Sequence, residues 1–174
     1  MFFVQMSGFP GSGKSTLARE IAKRTGAIII DHDIVKSALL NTIIEDAIDV
    51  KIAGKISYNI DWALIDFYLS QGHSVILDSP CLYDEMIEKG LKLSIKYNVK
   101  YKYVECYFDD FKEINLRLKT RERMVSQIEE IKSEIAFKHT IHNAKKPSNY
   151  KCITVNTGQP LEYYFQEVVD YINY

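Results

Sequence analysis

Eight residues near the N-terminus, Gly8-Phe9-Pro10-Gly11-Ser12-Gly13-Lys14-Ser15, follow the pattern Gly, any four residues, Gly-Lys, then Ser or Thr. Each residue type has a task beside phosphate. The glycines let successive backbone N–H groups turn inward around phosphate oxygens. A helix opening near Lys14 adds the positive end of its dipole. The Lys14 ammonium reaches the β- and γ-phosphates, and the Ser15 hydroxyl ligates Mg²⁺. The expected cradle comprises Gly8, Pro10, Gly11, Ser12, Gly13, Lys14, Ser15 and Thr16, and the expected ligands are ATP and Mg²⁺. A glycine-rich turn carrying a surface lysine is the plain alternative. The apolar run before this segment and the helical spacing after it argue for the phosphate loop.

Such a loop needs a strand to launch it and a helix to receive it. Phe2 to Ser7 reads as a buried strand, and Leu17, Ile21 and Ala22 mark a helix from Lys14 that stops at Gly26. Ala27 to Asp31 reads as a second strand, followed by a helix over Ile34 to Thr42 with Asp33 at its N-cap. Residues 43–55 are ambiguous, with acids at Glu45, Asp46 and Asp49 and a breaker at Gly54. Ile56, Ile60, Ala63, Leu64 and Phe67 mark an amphipathic helix ending at Gly72, and Ser74 to Asp78 a third strand. A helix carrying Ile87, Leu91 and Ile95 leads to a fourth strand over Lys100 to Phe108. Phe111 to about Ala144 reads as mostly helical, with Ile128, Ile131 and Ile135 along one face. A fifth strand, Lys151 to Val155, precedes a closing helix marked by Leu161, Phe165, Val168 and Ile172. Alternating strands and helices, with most strands apolar on both faces, predict an α/β fold. The expected architecture is a three-layer sandwich around a five-stranded parallel sheet, one P-loop domain over residues 1–174.

Other candidate groups fall at strand ends and on the long charged segment. Phosphoryl transfer to an alcohol needs a carboxylate to accept the hydroxyl proton. Asp33, just after strand two, lies at the sheet edge where parallel sheets bind ligands, and Asp31 is its rival. An Asp before a helix is also a good cap, so Asp33 has a structural reading too. Asp78 ends strand three, where a carboxylate can hold Mg²⁺ through water; a turn cap is the alternative. Arg117 and Arg121 are four apart, so on a helix they share a face and can neutralise charge on a transferring phosphoryl group. Pairing with Glu113 and Glu122 on a solvated helix is the other reading. Residues 37–71 and 79–100 are expected to form the acceptor pocket, with Tyr58, Trp62, Tyr68 and Tyr83 as stacking candidates. His32, between two acids, reads as a bystander.

Composition narrows the classes. The chain has 174 residues and a formal net charge of −1, without the basic signature of a nucleic-acid binder. Residues 100–151 are locally basic, with 12 Lys and Arg against 8 Asp and Glu, so that sector can face phosphate. No apolar run reaches the length of a membrane span, and the N-terminus lacks the features of a signal peptide. Cys81, Cys106 and Cys152 are odd in number and unclustered, which argues against disulfides and zinc and for reduced thiols in the cytoplasm.

Three stretches carry a family resemblance: Ser7 to Ala18 around the phosphate loop, Asp31-His-Asp-Ile-Val-Lys36, and Gly72-His-Ser-Val-Ile-Leu-Asp-Ser-Pro80. Val104-Glu-Cys106, Arg117, Arg121 and Lys146-Pro147 continue it. The chain resembles the small AAA domain kinase-like family, and with it polynucleotide 5′-kinases, gluconate kinase, chloramphenicol phosphotransferase and zeta toxins. That resemblance implies a P-loop kinase with a helical lid, here about residues 117–146. It aligns Asp33 and Lys36 with an Asp-x-x-Arg pattern in which the Asp is the base; Lys36 keeps the charge of the arginine but not its bidentate fork. In similar kinases the first lid arginine packs on the adenine, and the turn after the last strand, here Asn156 to Pro160, lies beside it. The absence of an Asn-Lys-x-Asp string excludes the usual GTPase reading. The leading expectation is an ATP-dependent kinase acting on a hydroxyl of a small metabolite or nucleotide. A 5′-hydroxyl polynucleotide kinase and an NTP-binding regulatory module with weak ATPase activity are the alternatives.

Overall fold

The computed structural model describes residues 1–42 and 49–174. Strands β1 (Phe2–Ser7), β2 (Ile28–Asp31), β3 (Val75–Asp78), β4 (Lys100–Tyr107) and β5 (Cys152–Asn156) pair in the order β2-β3-β1-β4-β5. Every pair is parallel. The helices are α1 (Lys14–Thr25), α2 (His32–Thr42), α3 (Val50–Ser70), α4 (Asp84–Lys96), α5 (Phe111–Thr120), α6 (Glu134–His142) and α7 (Phe165–Asn173).

β1 is buried along its whole length because both faces of the sheet are covered. Phe2, Val4 and Met6 point to one face, where they pack with Leu17 and Ile21 of α1 and Val168 and Ile172 of α7. Phe3 points to the other, among Ile65 and Leu69 of α3 and Ile87 of α4. This two-residue alternation builds the expected three layers. Burial pushes the Cys81 thiol up to about 11 and the Cys106 thiol up to about 12, so both stay protonated and inert. Among the described residues no helix is long and apolar enough to cross a membrane.

The topology decides which strand ends meet. β1 lies between β3 and β4, so the loop leaving β1 emerges beside the end of β3. β2 pairs with β3 in a register that sets Asp31 opposite Asp78. Two carboxylates and the phosphate loop therefore share one edge of the sheet.

Four expectations need correction. The second helix starts at His32, and its cap is Asp31: the Asp31 Oδ1 accepts from the backbone N–H of Asp33 at 2.9 Å and of Ile34 at 3.3 Å. Asp33 sits inside the first turn with its carboxylate free for other work. Gly54 is no breaker; α3 runs through it, started by Asp49, whose side chain accepts from the Lys51 N–H at 2.6 Å. The ambiguous acids Glu45 and Asp46 lie outside the described residues. The closing helix is split into a 3₁₀ turn, Leu161–Tyr163, and α7.

The fourth correction concerns the long charged segment. α5 ends at Thr120, Arg121 turns extended with ψ 151°, and α6 starts only at Glu134, capped by Ser133, whose hydroxyl accepts from the Ala136 N–H. Between them the chain is held by Asn115, which accepts from the Ile131 N–H at 2.7 Å and donates to its carbonyl at 3.2 Å. The isoleucines thus form no helical stripe. Ile131 packs with Ile114, Leu118 and Phe137, whereas Ile128 and Ile135 are exposed.

Candidate active site

The phosphate loop is built from backbone that side chains would spoil. Gly8 has φ 135°, and a Cβ there would stand 2.3 Å from the Cys106 carbonyl oxygen and 2.6 Å from the Ser12 hydroxyl. Gly11 and Gly13 have φ 85° and 84°, conformations that favour glycine. Ser12 is fully buried, and its hydroxyl has no partner. The Lys14 ammonium arches back over the loop and donates to the carbonyls of Gly8 at 2.9 Å and Phe9 at 3.1 Å. An orphan hydroxyl, inward-turned glycines and a lysine at a helix N-terminus fit a polyphosphate chain. The outer rim is held from above: Phe9 meets Phe137 of α6 edge to face at 4.8 Å.

Next to the loop, the Ser15 hydroxyl lies close enough to the buried carboxylate of Asp78 to favour its charged form. Two hard oxygen donors at the phosphate end would suit a magnesium ion. Burial pushes Asp78 up and Lys14 down, each countered by the other's charge. Burial, reinforced by Asp78, pushes Asp31 up to about 6. Asp31 is therefore both a cap and a carboxylate partly protonated near neutrality.

Asp33 faces a different neighbour. Its Oδ2 accepts from the Gln127 side chain at 2.8 Å, and its backbone carbonyl accepts from the Ser126 hydroxyl at 3.1 Å. The Ser37 hydroxyl donates to that of Ser126 at 2.8 Å. The loop between α5 and α6 thus closes on the start of α2. No pattern in the sequence marks these contacts, which join residues about ninety positions apart.

Lys14, Ser15, Asp31, Asp33, Asp78 and Gln127 line one cleft of about 1360 Å³. Its far wall is a single face of α3, where Lys51, Lys55, Tyr58, Asn59 and Trp62 follow helical spacing. Gly54 interrupts that row and leaves open space: a Cβ there would meet nothing within 4 Å. Lys36, Tyr83 and Lys89 also face the cleft, but Tyr68 instead packs into the core around α3. Residues from α3 and from the start of α4 supply this wall, so the expected pocket segments contribute in part. Eight Lys and Arg side chains line the cleft against five Asp and Glu.

Arg117 and Arg121 both reach the cleft, although only Arg117 lies within α5. The Arg117 guanidinium stacks 4.4 Å from the Phe108 ring and pairs with Glu113 at 3.1 Å. Phe108 in turn lies against Gly158, and Thr157 against Gly13, so Arg117 belongs with the turn after β5. Arg121 donates from Nη2 to the Ile128 carbonyl at 2.9 Å, while its buried Nε has no partner. Its charge acts on Lys14, and the charge of Asp33 acts on it in turn.

His32 is held in place by two neighbours. It is buried, its Nδ1 lies 2.7 Å from Oδ2 of a fully buried Asp61, and its ring stacks on Tyr58 at 3.8 Å. A signal for Asp61 is visible in the sequence. It sits in the row Ala53, Ser57, Asp61, Ile65, Leu69, all four apart and all buried, and an acid on such a face requires a partner.

Comparison with known proteins agrees with this fold. The profile of the AAA domain family matches residues 3–139. No curated protein matches the sequence. A provisionally assigned kinase from Chloroflexus aurantiacus superposes with a TM-score of 0.74 at 17% identity, covering 98% of this chain and 93% of that one. The APS kinase of Mycobacterium tuberculosis, solved with AMPPNP and APS, gives 0.66 at 15% identity over 99% and 97% of the two chains. A gluconokinase from Sinorhizobium meliloti gives 0.61 at 16% identity over 98% and 90%.

Proposed function

This chain belongs to the AAA domain family, and from that premise we propose that it is an ATP-dependent phosphotransferase acting on a hydroxyl of a small metabolite or nucleotide. The observation that carries the reading is the shared cleft. The phosphate cradle with Ser15 and Asp78 opens into the same space as Asp33, a carboxylate not consumed by helix capping.

In this reading Gly8, Pro10, Gly11, Ser12, Gly13 and Thr16 shape the nucleotide site, and Lys14 leaves the carbonyls of Gly8 and Phe9 for the phosphates. Ser15 and Asp78 hold Mg²⁺, whose charge draws electron density from the transferring group. Asp33 accepts the acceptor's hydroxyl proton. Arg121 supplies its unpartnered Nε to charge developing on the phosphoryl oxygens, and Arg117 flanks the adenine. Residues 117–146 act as a lid. Lys36, Lys51, Lys55 and Lys89 on the acceptor side favour an acceptor that itself carries negative charge.

The test is transfer from γ-labelled ATP to nucleosides, sugars, sugar acids, aminoglycosides and a 5′-hydroxyl oligonucleotide. Label is expected on an alcohol of a small, acidic compound. Label on the oligonucleotide alone would make this a polynucleotide kinase. Hydrolysis without transfer to any alcohol would leave a nucleotide-binding module.

A further inference from the structure

The buried pair of His32 and Asp61 has no task in the chemistry above. Asp61 is fully buried, with one oxygen on His32 and the other without a partner. A carboxylate so placed contributes little net stability, because its desolvation offsets what one contact returns. The pair is therefore a weak structural device. Its geometry is better suited to holding an imidazole still. Tyr58 lies parallel to the ring, at 12°, and is itself tied through its hydroxyl to Ser79 at 3.1 Å, directly after Asp78. Three elements, α2, α3 and the end of β3, thus fix the ring plane.

What the ring presents follows from which nitrogen is used. Nδ1 faces Asp61, whose carboxylate can only accept. The proton of a neutral ring then sits on Nδ1, which leaves a lone pair on Nε2. Among the described residues Nε2 has no hydrogen-bond partner, and it is not among the buried unpartnered atoms. His32 lines the cleft, between Asp31 and Asp33 in the chain.

We propose that His32 Nε2 is an acceptor-binding group: it receives a hydrogen bond from a hydroxyl of the bound substrate, with Asp61 as the positioning residue that sets the tautomer. This rests on the phosphotransferase reading and adds a second anchoring point beside Asp33. The substrate it selects is a polyol, with one hydroxyl for Asp33 and another for His32.

The experiment has two arms. Long-range ¹H–¹⁵N spectra of the histidine side chains, at about pH 8 where an ordinary imidazole is neutral, are expected to show His32 protonated at Nδ1 and bare at Nε2. Asp61→Asn is expected to erode that preference. In the second arm, transfer from labelled ATP is measured for wild type, His32→Asn and His32→Gln, with gluconate, glycerol, ribose and water as acceptors. Asn keeps a donor where Nδ1 was and loses Nε2; Gln keeps a polar atom near Nε2. His32→Asn is expected to melt near wild type and keep its ATP affinity. Its kcat/KM on whichever acceptor wild type uses is expected to fall about tenfold or more, chiefly through KM, with partial recovery in His32→Gln. A proton on Nε2, whether alone or on a doubly protonated ring, overturns the proposal, as does a wild-type kcat/KM in His32→Asn. Should wild type transfer only to water, the phosphotransferase reading fails, and the spectra still decide the tautomer.

Discussion

Gln127 Nε2 donates to Asp33 Oδ2 across 2.8 Å, joining the loop after α5 to the first turn of α2. The carboxylate proposed to take the acceptor's proton therefore also latches the segment proposed as a lid. Gln127→Ala is expected to speed amide exchange across 121–133 by roughly fivefold, the factor given by about 1 kcal/mol of lost hydrogen bonding. ATP affinity should not change. In wild type the same segment should exchange faster than the sheet and slow when a non-hydrolysable ATP analogue and Mg²⁺ are added. Exchange equally slow with and without nucleotide would remove the moving lid.

Lys14→Ala is expected to weaken ATP binding. Ser15→Ala should chiefly abolish its dependence on Mg²⁺, because Ser15 and Asp78 are the proposed protein ligands of the metal. Calorimetry with and without Mg²⁺ reads both, and wild-type affinity in both variants would falsify the phosphate-loop assignment.

Asp33→Asn separates chemistry from capping, since the cap belongs to Asp31. The variant should melt near wild type, bind ATP normally and lose about 10²-fold or more in transfer rate. Asp31→Ala should do the reverse in the first respect, costing about 1 kcal/mol in stability as a lost N-cap. A wild-type transfer rate in Asp33→Asn would shift the base to another group.

Asp31 also gives stability a pH dependence. Its carboxyl is raised from 3.8 to about 6 in the folded protein, so between those values the native state holds a proton that the unfolded chain has released. The contribution is fully present below the lower value and is lost as pH rises through the upper one. Denaturant unfolding across this window should show a falling component that Asp31→Asn removes while keeping the cap oxygen. An unchanged slope in the variant would assign the dependence elsewhere.

Arg121→Ala should lower kcat far more than ATP affinity, because its buried Nε has no ground-state partner. Loss of affinity alone would reassign Arg121 to nucleotide binding.

The sequence disclosed what depends on contiguous residues. The phosphate loop is eight consecutive positions, and β1, β2 and β3 are short apolar runs bounded by turns. Cap assignment failed by two residues, since Asp31 and Asp33 are the same side chain on either side of a strand end, and only backbone direction tells them apart. The segment after α5 misled because isoleucines at 128, 131 and 135 imitate a helical period while Asn115 holds that stretch as a loop. The contacts of His32 with Asp61 and of Gln127 with Asp33 span 29 and 94 positions; the buried row around Asp61 signals that it needs a partner, but no local pattern names which residue that is.

The gap at Gly54 makes the acceptor chamber adjustable from outside its machinery. This glycine lies within a long helix, faces the cleft, and has nothing within reach of an added Cβ. Alanine there should make the helix firmer by roughly 0.5–1 kcal/mol, and larger side chains would narrow the chamber stepwise. A graded series at Gly54 would act as a ruler for the unknown acceptor: the size at which transfer stops, with ATP binding intact, measures how far that molecule extends along α3.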